Sequence, residues 1–410
     1  MKMTHDAIIN LDYASHTPVD PRVLLAFSHT AQEFAGNVMA AHSAGRKARE
    51  EMERATAGIA GLLDVKPEEI IFTSGASEAN NLAIKGILSA YSHVGRHVLS
   101  TCLEHPSVSG TLAALDCEIE LLKILPNGTI DLAHLKNALR RDTVLVCVSV
   151  VDSELGVIQP IADIAEILAE FPQCHLHVDA AQAVGKIPFK LGQTQTGAIP
   201  STISISPHKF HGICGVGILV KRQGVVLQPQ IHGGTSTTIY RSGTPALSLA
   251  VSAYTALELA IAEMDERFAK VTAMRDYIIS KLTGDAVIGV PPVEGLRSAY
   301  DLSYNSCASH LHINTPLQNS SPYILNISVS GIKGTDFQAG LDSHGVCVSV
   351  KSACSTDRAP SRAVFAITRD KKRAASSWRV SFSHLTTMDE IDRFISAFTE
   401  VCRATELRPI

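Results

Sequence analysis

The sequence lacks several features that would send its function elsewhere. Met1 to Asn10 has no basic segment followed by an apolar run, which argues against export. Apolar stretches such as Val144 to Val151 are only of strand length, well short of the roughly 20 residues that span a bilayer, so a cytoplasmic protein without a membrane role is expected. The net charge of −4 and pI near 6.5 provide no field to attract nucleic acid or an anionic membrane. Nine cysteines, an odd set without a CxxC pair, argue against a disulfide framework or a zinc cluster. Internal repeats and low-complexity tracts are also missing, which excludes solenoids.

What remains is an ordinary globular composition, with 45% apolar and 19% charged residues. A chain of 410 residues exceeds the ~250–300 residues at which single cores stop growing, so a main and a smaller domain are expected. Ser43 to Leu63 is rich in Ala, Glu, Lys and Arg with apolar residues at helical spacing, and reads as a helix. Ile70 to Leu88 reads as a strand, a Ser-Gly turn and a helix starting near Ala76. Further strands are expected at 97–101, 143–151, 174–180 and 201–206, with helical stretches such as Ile161 to Glu170 between several of them. Runs apolar on both faces with helical crossovers predict an α/β fold with a mainly parallel sheet flanked by helices. One long helical stretch, Leu249 to Leu282, is expected to lead into the C-terminal part. Residues 288–322 read as an extended loop or insertion before a strand at 323–329.

Lys209, in SISPHKFHGICGVG, follows a strand and precedes a glycine-rich turn. Thirty residues earlier Asp179 closes the strand of HLHVDAAQAVGK, with Gln182 three positions on. In TSGASEANN the backbone amides, Ala76 and the Ser77 hydroxyl stand at a helix N-terminus, where unpaired donors and the helix dipole favour a phosphate. His105, in CLEHPSV, also follows a strand. Each has a plainer reading in isolation: a solvated lysine, a capping or turn aspartate, an N-capped helix, a structural histidine. Together they match what pyridoxal phosphate (PLP) demands of a protein: a lysine for a Schiff base, an acid for the pyridine nitrogen, donors for the phosphate and a surface against the ring.

These segments resemble PLP enzymes of fold type I, and among them the cysteine desulfurases. The landmarks run in family order through nearly the whole chain: LDYASHTPVDPRV from Leu11, FTSGASEANNLAIKG from Phe72, LEHPSV from Leu103, ELGVIQPI from Glu154 and HVDAAQAVGKIP from His177, then SPHKFHG from Ser206, YRSGT from Tyr240, SVKSACS from Ser349 and SWRVSFS from Ser377. The resemblance implies a large PLP-binding domain, residues 1–255, around a mainly parallel seven-stranded sheet. A smaller α+β domain, residues 256–410, would carry the active-site cysteine, and the N-terminal segment is allowed to pack against it.

At matching positions the resemblance implies that Lys209 forms the Schiff base and moves the substrate's α-proton. Asp179 would pair with the pyridine nitrogen, Gln182 with the phenolic oxygen, and His105 would lie over the ring. Ala76, Ser77, Ser206 and His208 would bind the phosphate, with Thr244 reaching in from the second subunit of a homodimer. Arg379, aided by Asn37, would hold the carboxylate of L-cysteine through arginine's fork. Cys354, in a small and polar segment expected to be a flexible loop, would attack the substrate sulfur, giving a persulfide and alanine. The sulfur would pass to acceptor or scaffold proteins, in iron–sulfur assembly, tRNA thiolation or another pathway.

Three stretches depart from the family pattern. Ser153, in Asp152-Ser153-Glu154, stands where the family places an asparagine near the ring oxygen, so that contact is expected to be altered. GNVMAAHSAG replaces a Pro-Ser-Ser run, and GGTSTTIYRSGT lacks a Gln-Glu pair. Three rival readings stay open: a selenocysteine lyase, a PLP aminotransferase or β-eliminating lyase that needs no cysteine nucleophile, and a non-catalytic scaffold for sulfur carriers.

Overall fold

A computed structural model describes residues 8–188, 199–234, 238–284, 310–351 and 359–406. A two-residue strand, β1 (Ile9–Asn10), opens the described chain. The large sheet then forms from β2 (Ile70–Thr73), β3 (His97–Ser100), β4 (Glu118–Leu121), β5 (Thr143–Ser149), β6 (His175–Asp179), β7 (Thr202–Ile205) and β8 (Gly217–Lys221). Their spatial order is β2-β8-β7-β6-β5-β3-β4. The strands from β4 to β7 are parallel, whereas β8 lies antiparallel between β7 and β2. The expected seven-stranded, mainly parallel sheet is therefore present.

Helix α1 (Pro21–Glu33) starts at Asp20, whose carboxylate accepts from the amide of Arg22, with proline at the first helical position. Helix α2 (Ser43–Leu63) has the bounds its spacing predicted. Helix α3 (Ala76–Ala90) follows β2 and crosses the sheet over β5 to β8. Helix α4 (Pro106–Ala113) follows β3 and is capped by the side chain of His105.

The expectation of strands apolar on both faces holds for β5, where Val146 and Val148 join one core cluster and Leu145 and Cys147 the other. It fails for β6 and β7. There Leu176, Val178, Ile203 and Ile205 face the main core, while His175, His177, Asp179, Thr202 and Ser204 alternate with them and are buried too. Strict alternation with both faces covered produces a polar seam inside the protein.

Two further readings are corrected. The single helical stretch 249–282 is two helices, Leu247–Ala262 and Met264–Thr283, bent by 65°. At the corner the Glu263 carboxylate accepts from Arg22 Nη1 and Arg267 Nη2, both at 2.6 Å, which ties the bend to α1. Within the stretch read as a loop, Leu311–Ile313 forms strand β9, an edge of a three-stranded sheet with β10 (Ile324–Val329) and β12 (Ser377–Ser381). Between the last two lies β11 (Val346–Cys347), which pairs in parallel with β1. Among the described residues no single helix is long and apolar enough to cross a membrane. Cys102, Cys117, Cys147, Cys174, Cys214 and Cys347 are free, while Cys402 is disulfide-bonded, so one bridge exists where the spacing argued against a framework.

Trp378 of β12 is fully buried and stacks on Phe337 at 4.9 Å, with Phe394 and Phe398 against it. Truncating Phe337 to alanine should lower stability by ~3–5 kcal/mol through the cavity it leaves. Equilibrium denaturation followed by emission of Trp378, the chain's one tryptophan, measures this.

Candidate active site

One cavity of about 310 Å³ opens where β5, β6 and β7 end and α3 and α4 begin. Ligands in parallel α/β sheets bind at the carboxyl ends of the strands, and this volume sits at the low end of the ~300–1,000 Å³ usual for small-molecule sites. Ala76, Ser77, His105, Ser153, Asp179, Gln182, Ser206, His208, Lys209 and Arg379 all line it.

Lys209 ends the short turn Pro207–Lys209 that follows β7. Its Nζ donates to the carbonyl oxygens of Ala14 at 2.8 Å and Ser15 at 2.6 Å. Ser206 Oγ and His208 Nδ1 lie 2.9 Å apart, and burial, with Lys209 beside it, pushes the His208 imidazole down to about 4. Gln182 donates from Nε2 to the Ala14 carbonyl and accepts from Lys186 Nζ, each at 2.8 Å, which fixes its amide orientation. Asp179 accepts from Asn80 Nδ2 through Oδ2 at 2.8 Å and from the Ala181 amide through Oδ1 at 2.9 Å. His105 Nδ1 accepts from the Ser107 amide at 3.1 Å and lies 2.8 Å from Ser107 Oγ.

Arg379 is 1% exposed. Nη1 donates to the Ser153 carbonyl at 2.6 Å, while Nη2 donates to Asp12 Oδ1 at 2.6 Å and Ser15 Oγ at 2.9 Å. Its buried Nε has no hydrogen-bond partner among the described residues. Ser153 thus contributes a backbone carbonyl, and burial, with Glu154 beside it, pushes the carboxyl of the preceding Asp152 up to about 7.

Two expected residues stand outside this wall. Asn37 is exposed and accepts from the Met39 amide at 2.9 Å, closing its own turn instead of aiding Arg379. Thr244 is exposed. Cys354 lies outside the described residues. Conversely, Asp12, Ser15, Asn80, Ser107, Lys186 and Cys214 were not singled out from the sequence. Asn80 sits four residues beyond Ala76, on the same helix face, and that spacing was the available signal.

The cavity's donors fit PLP. The α3 N-terminus, Ser77 and Ser206 supply donors, and a carboxylate, Asp179, and a lysine, Lys209, line the same cavity. Gly217 makes the close approach to α3 possible, because a Cβ there would stand 2.5 Å from the Gly75 backbone.

The aminotransferase class-V family profile matches residues 9–394. The chain is 34% identical over 388 residues to cysteine desulfurase IscS of Dictyoglomus turgidum, covering 94% of this chain and 92% of that one. It is 35% identical to cysteine desulfurase IscS of Neisseria meningitidis serogroup C, covering 95% and 91%. Among solved structures, a NifS-like protein superposes with a TM-score of 0.84 at 30% identity, over 97% of this chain and 100% of the other. A NifS-like protein of Rickettsia africae gives 0.81 at 26%, over 97% and 99%. The chain belongs to the aminotransferase class-V family, and within it to the cysteine desulfurases, which depend on PLP.

Two predictions follow from this geometry. Gly217→Ala should push back the start of α3 and weaken PLP binding by about 10-fold or more, since the neighbour that must give is backbone, as read by absorbance titration. Burial pushes the Lys186 ammonium down to about 7. Between pH 7 and 10 the unfolded chain then holds the extra proton, so this group's contribution makes stability rise with pH across that window. Lys186→Met should remove that slope in denaturant titrations at pH 7, 8.5 and 10.

Proposed function

We propose that this protein is a PLP-dependent cysteine desulfurase that converts L-cysteine to L-alanine and passes the sulfur to acceptor proteins. The observation that carries the reading is the convergence of Lys209, Asp179, His105 and Arg379 on one cavity beside the α3 N-terminus. Bound PLP supplies an electron sink that stabilises negative charge at the substrate's α-carbon.

Asp179 would hold the pyridine nitrogen in its protonated form. Ala76, Ser77, Ser206 and His208 would hold the phosphate, joined by Thr244 of the second subunit in a homodimer. Gln182 would bind the ring oxygen, and Ser153 would replace the amide contact of the family with a smaller group. His105 would cover the ring. Lys209 Nζ would anchor the cofactor and carry the α-proton. Arg379, which lines the cavity, would bind the substrate carboxylate.

Cys354 then acts as the nucleophile: its thiolate attacks the substrate sulfur, the carbon–sulfur bond breaks as the sulfur–sulfur bond forms, and a proton delivered to the carbon yields alanine. Among the described cysteines, burial pushes the Cys174 thiol up to about 12 and Cys147 well above the usual range. These two are packing residues. Cys214 is exposed and lines the cavity, which makes it the competitor to be tested.

We place the division between large and small domains at the Glu263 corner, slightly beyond 255, because Leu247, Ala250 and Val251 pack in one cluster with Ala48, Met52 and Ala55 of α2. A cytoplasmic location and delivery to iron–sulfur assembly or tRNA thiolation belong to the same proposal.

The test is mass spectrometry of the PLP-loaded protein after incubation with cysteine. One added sulfur should map to Cys354, accompany free alanine, vanish in Cys354→Ala and persist in Cys214→Ala. Alanine without that adduct, or an adduct on Cys214, would remove the mechanism. Arg379→Lys should raise KM for cysteine by about 10-fold or more, because the ammonium cannot reproduce the fork.

A further inference from the structure

Asn80 of α3 is fully buried, and all four of its amide hydrogen-bonding positions are used. Nδ2 donates to Asp179 Oδ2 and to Ser107 Oγ, both at 2.8 Å. Oδ1 faces His177 Nε2 at 2.9 Å and accepts from Ser204 Oγ. The reverse amide orientation would set an oxygen against the Asp179 carboxylate, so the assignment is forced.

The orientation propagates in both directions. Because Oδ1 accepts, His177 carries its proton on Nε2, leaving Nδ1 to accept from Thr202 Oγ1 at 2.9 Å. Burial holds this imidazole neutral, pushed down to about 4. On the other side Ser107 Oγ accepts from Asn80 and lies 2.8 Å from His105 Nδ1, which accepts from the Ser107 amide at 3.1 Å.

The sheet register builds the platform beneath. His177 pairs with Thr202 and Asp179 with Ser204 across β6 and β7, so all four side chains share the face that α3 covers. Every partner contributed by this platform is neutral. Asp179 is oriented by it without meeting a cation there, and it also lines the cavity.

We propose that Asn80 is a positioning residue for the cofactor site: it aims the Asp179 carboxylate directly, and His177 and Ser204 lock its amide in the orientation that does so. This rests on the PLP reading above.

The test begins with the wild-type apo protein, using ¹⁵N-histidine spectra. His177 should appear as a single Nε2–H tautomer, and a His177 protonated on Nδ1 would overturn the Asn80 orientation without any variant. In Asn80→Ala the His177 ring should lose its single tautomer, the Asp179 Cγ resonance should move, and the Kd for PLP should rise roughly 10- to 100-fold, the cost of stripping a donor from a buried acceptor. Ser107→Ala, which leaves the Asn80–Asp179 bond intact, should keep the Asp179 resonance in place and change the Kd by less than about 3-fold. An Asn80→Ala protein that keeps both spectra, or a Ser107→Ala protein that moves Asp179 as far as Asn80→Ala does, refutes the assignment. Should Asn80→Ala not fold, the wild-type and Ser107→Ala spectra decide. Failure of the wild type to bind PLP would refute the functional reading instead, while the apo spectra would still judge Asn80.

Discussion

A carboxylate buried inside a protein needs donors that stand in for water. Asp179 meets that requirement through Asn80 and the Ala181 amide, and much of the surrounding architecture follows. Asn80 must be held in one orientation, which requires His177 and Ser204 on the face below it. His177 in turn needs Thr202. The polar seam in the middle of an otherwise apolar sheet is thus the support for one carboxylate. The opposite faces of the same strands carry Leu176, Val178, Ile203 and Ile205 into the main core, so hydrophobic burial holds the strands while their polar sides hold the site.

A second convergence ties the two ends of the chain together. The carbonyls of Ala14 and Ser15 receive Lys209 and Gln182, and Asp12 and Ser15 Oγ receive Arg379. The Ser381 amide donates to the Leu11 carbonyl, and β1 pairs with β11. A segment of four residues therefore sets the distance between the lysine contributed by the large sheet and the arginine contributed by the three-stranded one. Disturbing it would misplace both, although neither lies near it in sequence.

Much of this was legible from pattern. Apolar runs separated by amphipathic stretches marked the strands of the large sheet, and Ser43 to Leu63 carried enough helical spacing to define its ends. Lys209, Asp179, His105 and Ser77 stood out because each occupies the end of a strand or the start of a helix, where backbone geometry exposes side chains to a common space. The bend at Glu263 was hidden because no proline or glycine marks it; an ion pair with Arg22, on a distant helix, anchors it. Asn37 is exposed and closes its own turn, a local preference that the motif resemblance does not register. Asn80 and Ser107 went unassigned because their role lies in touching other side chains.

The sequence by itself determined which residues could do chemistry and the order in which strands and helices present them, since period and turn chemistry are local properties of the chain. Only the tertiary structure decided which of those groups share a cavity, which way the Asn80 amide points, and where the proton on His177 resides. Those outcomes depend on hydrogen bonds across strand register and between residues tens to hundreds of positions apart, as from Asn80 to Asp179 or from Asp12 to Arg379, and no local rule contains them.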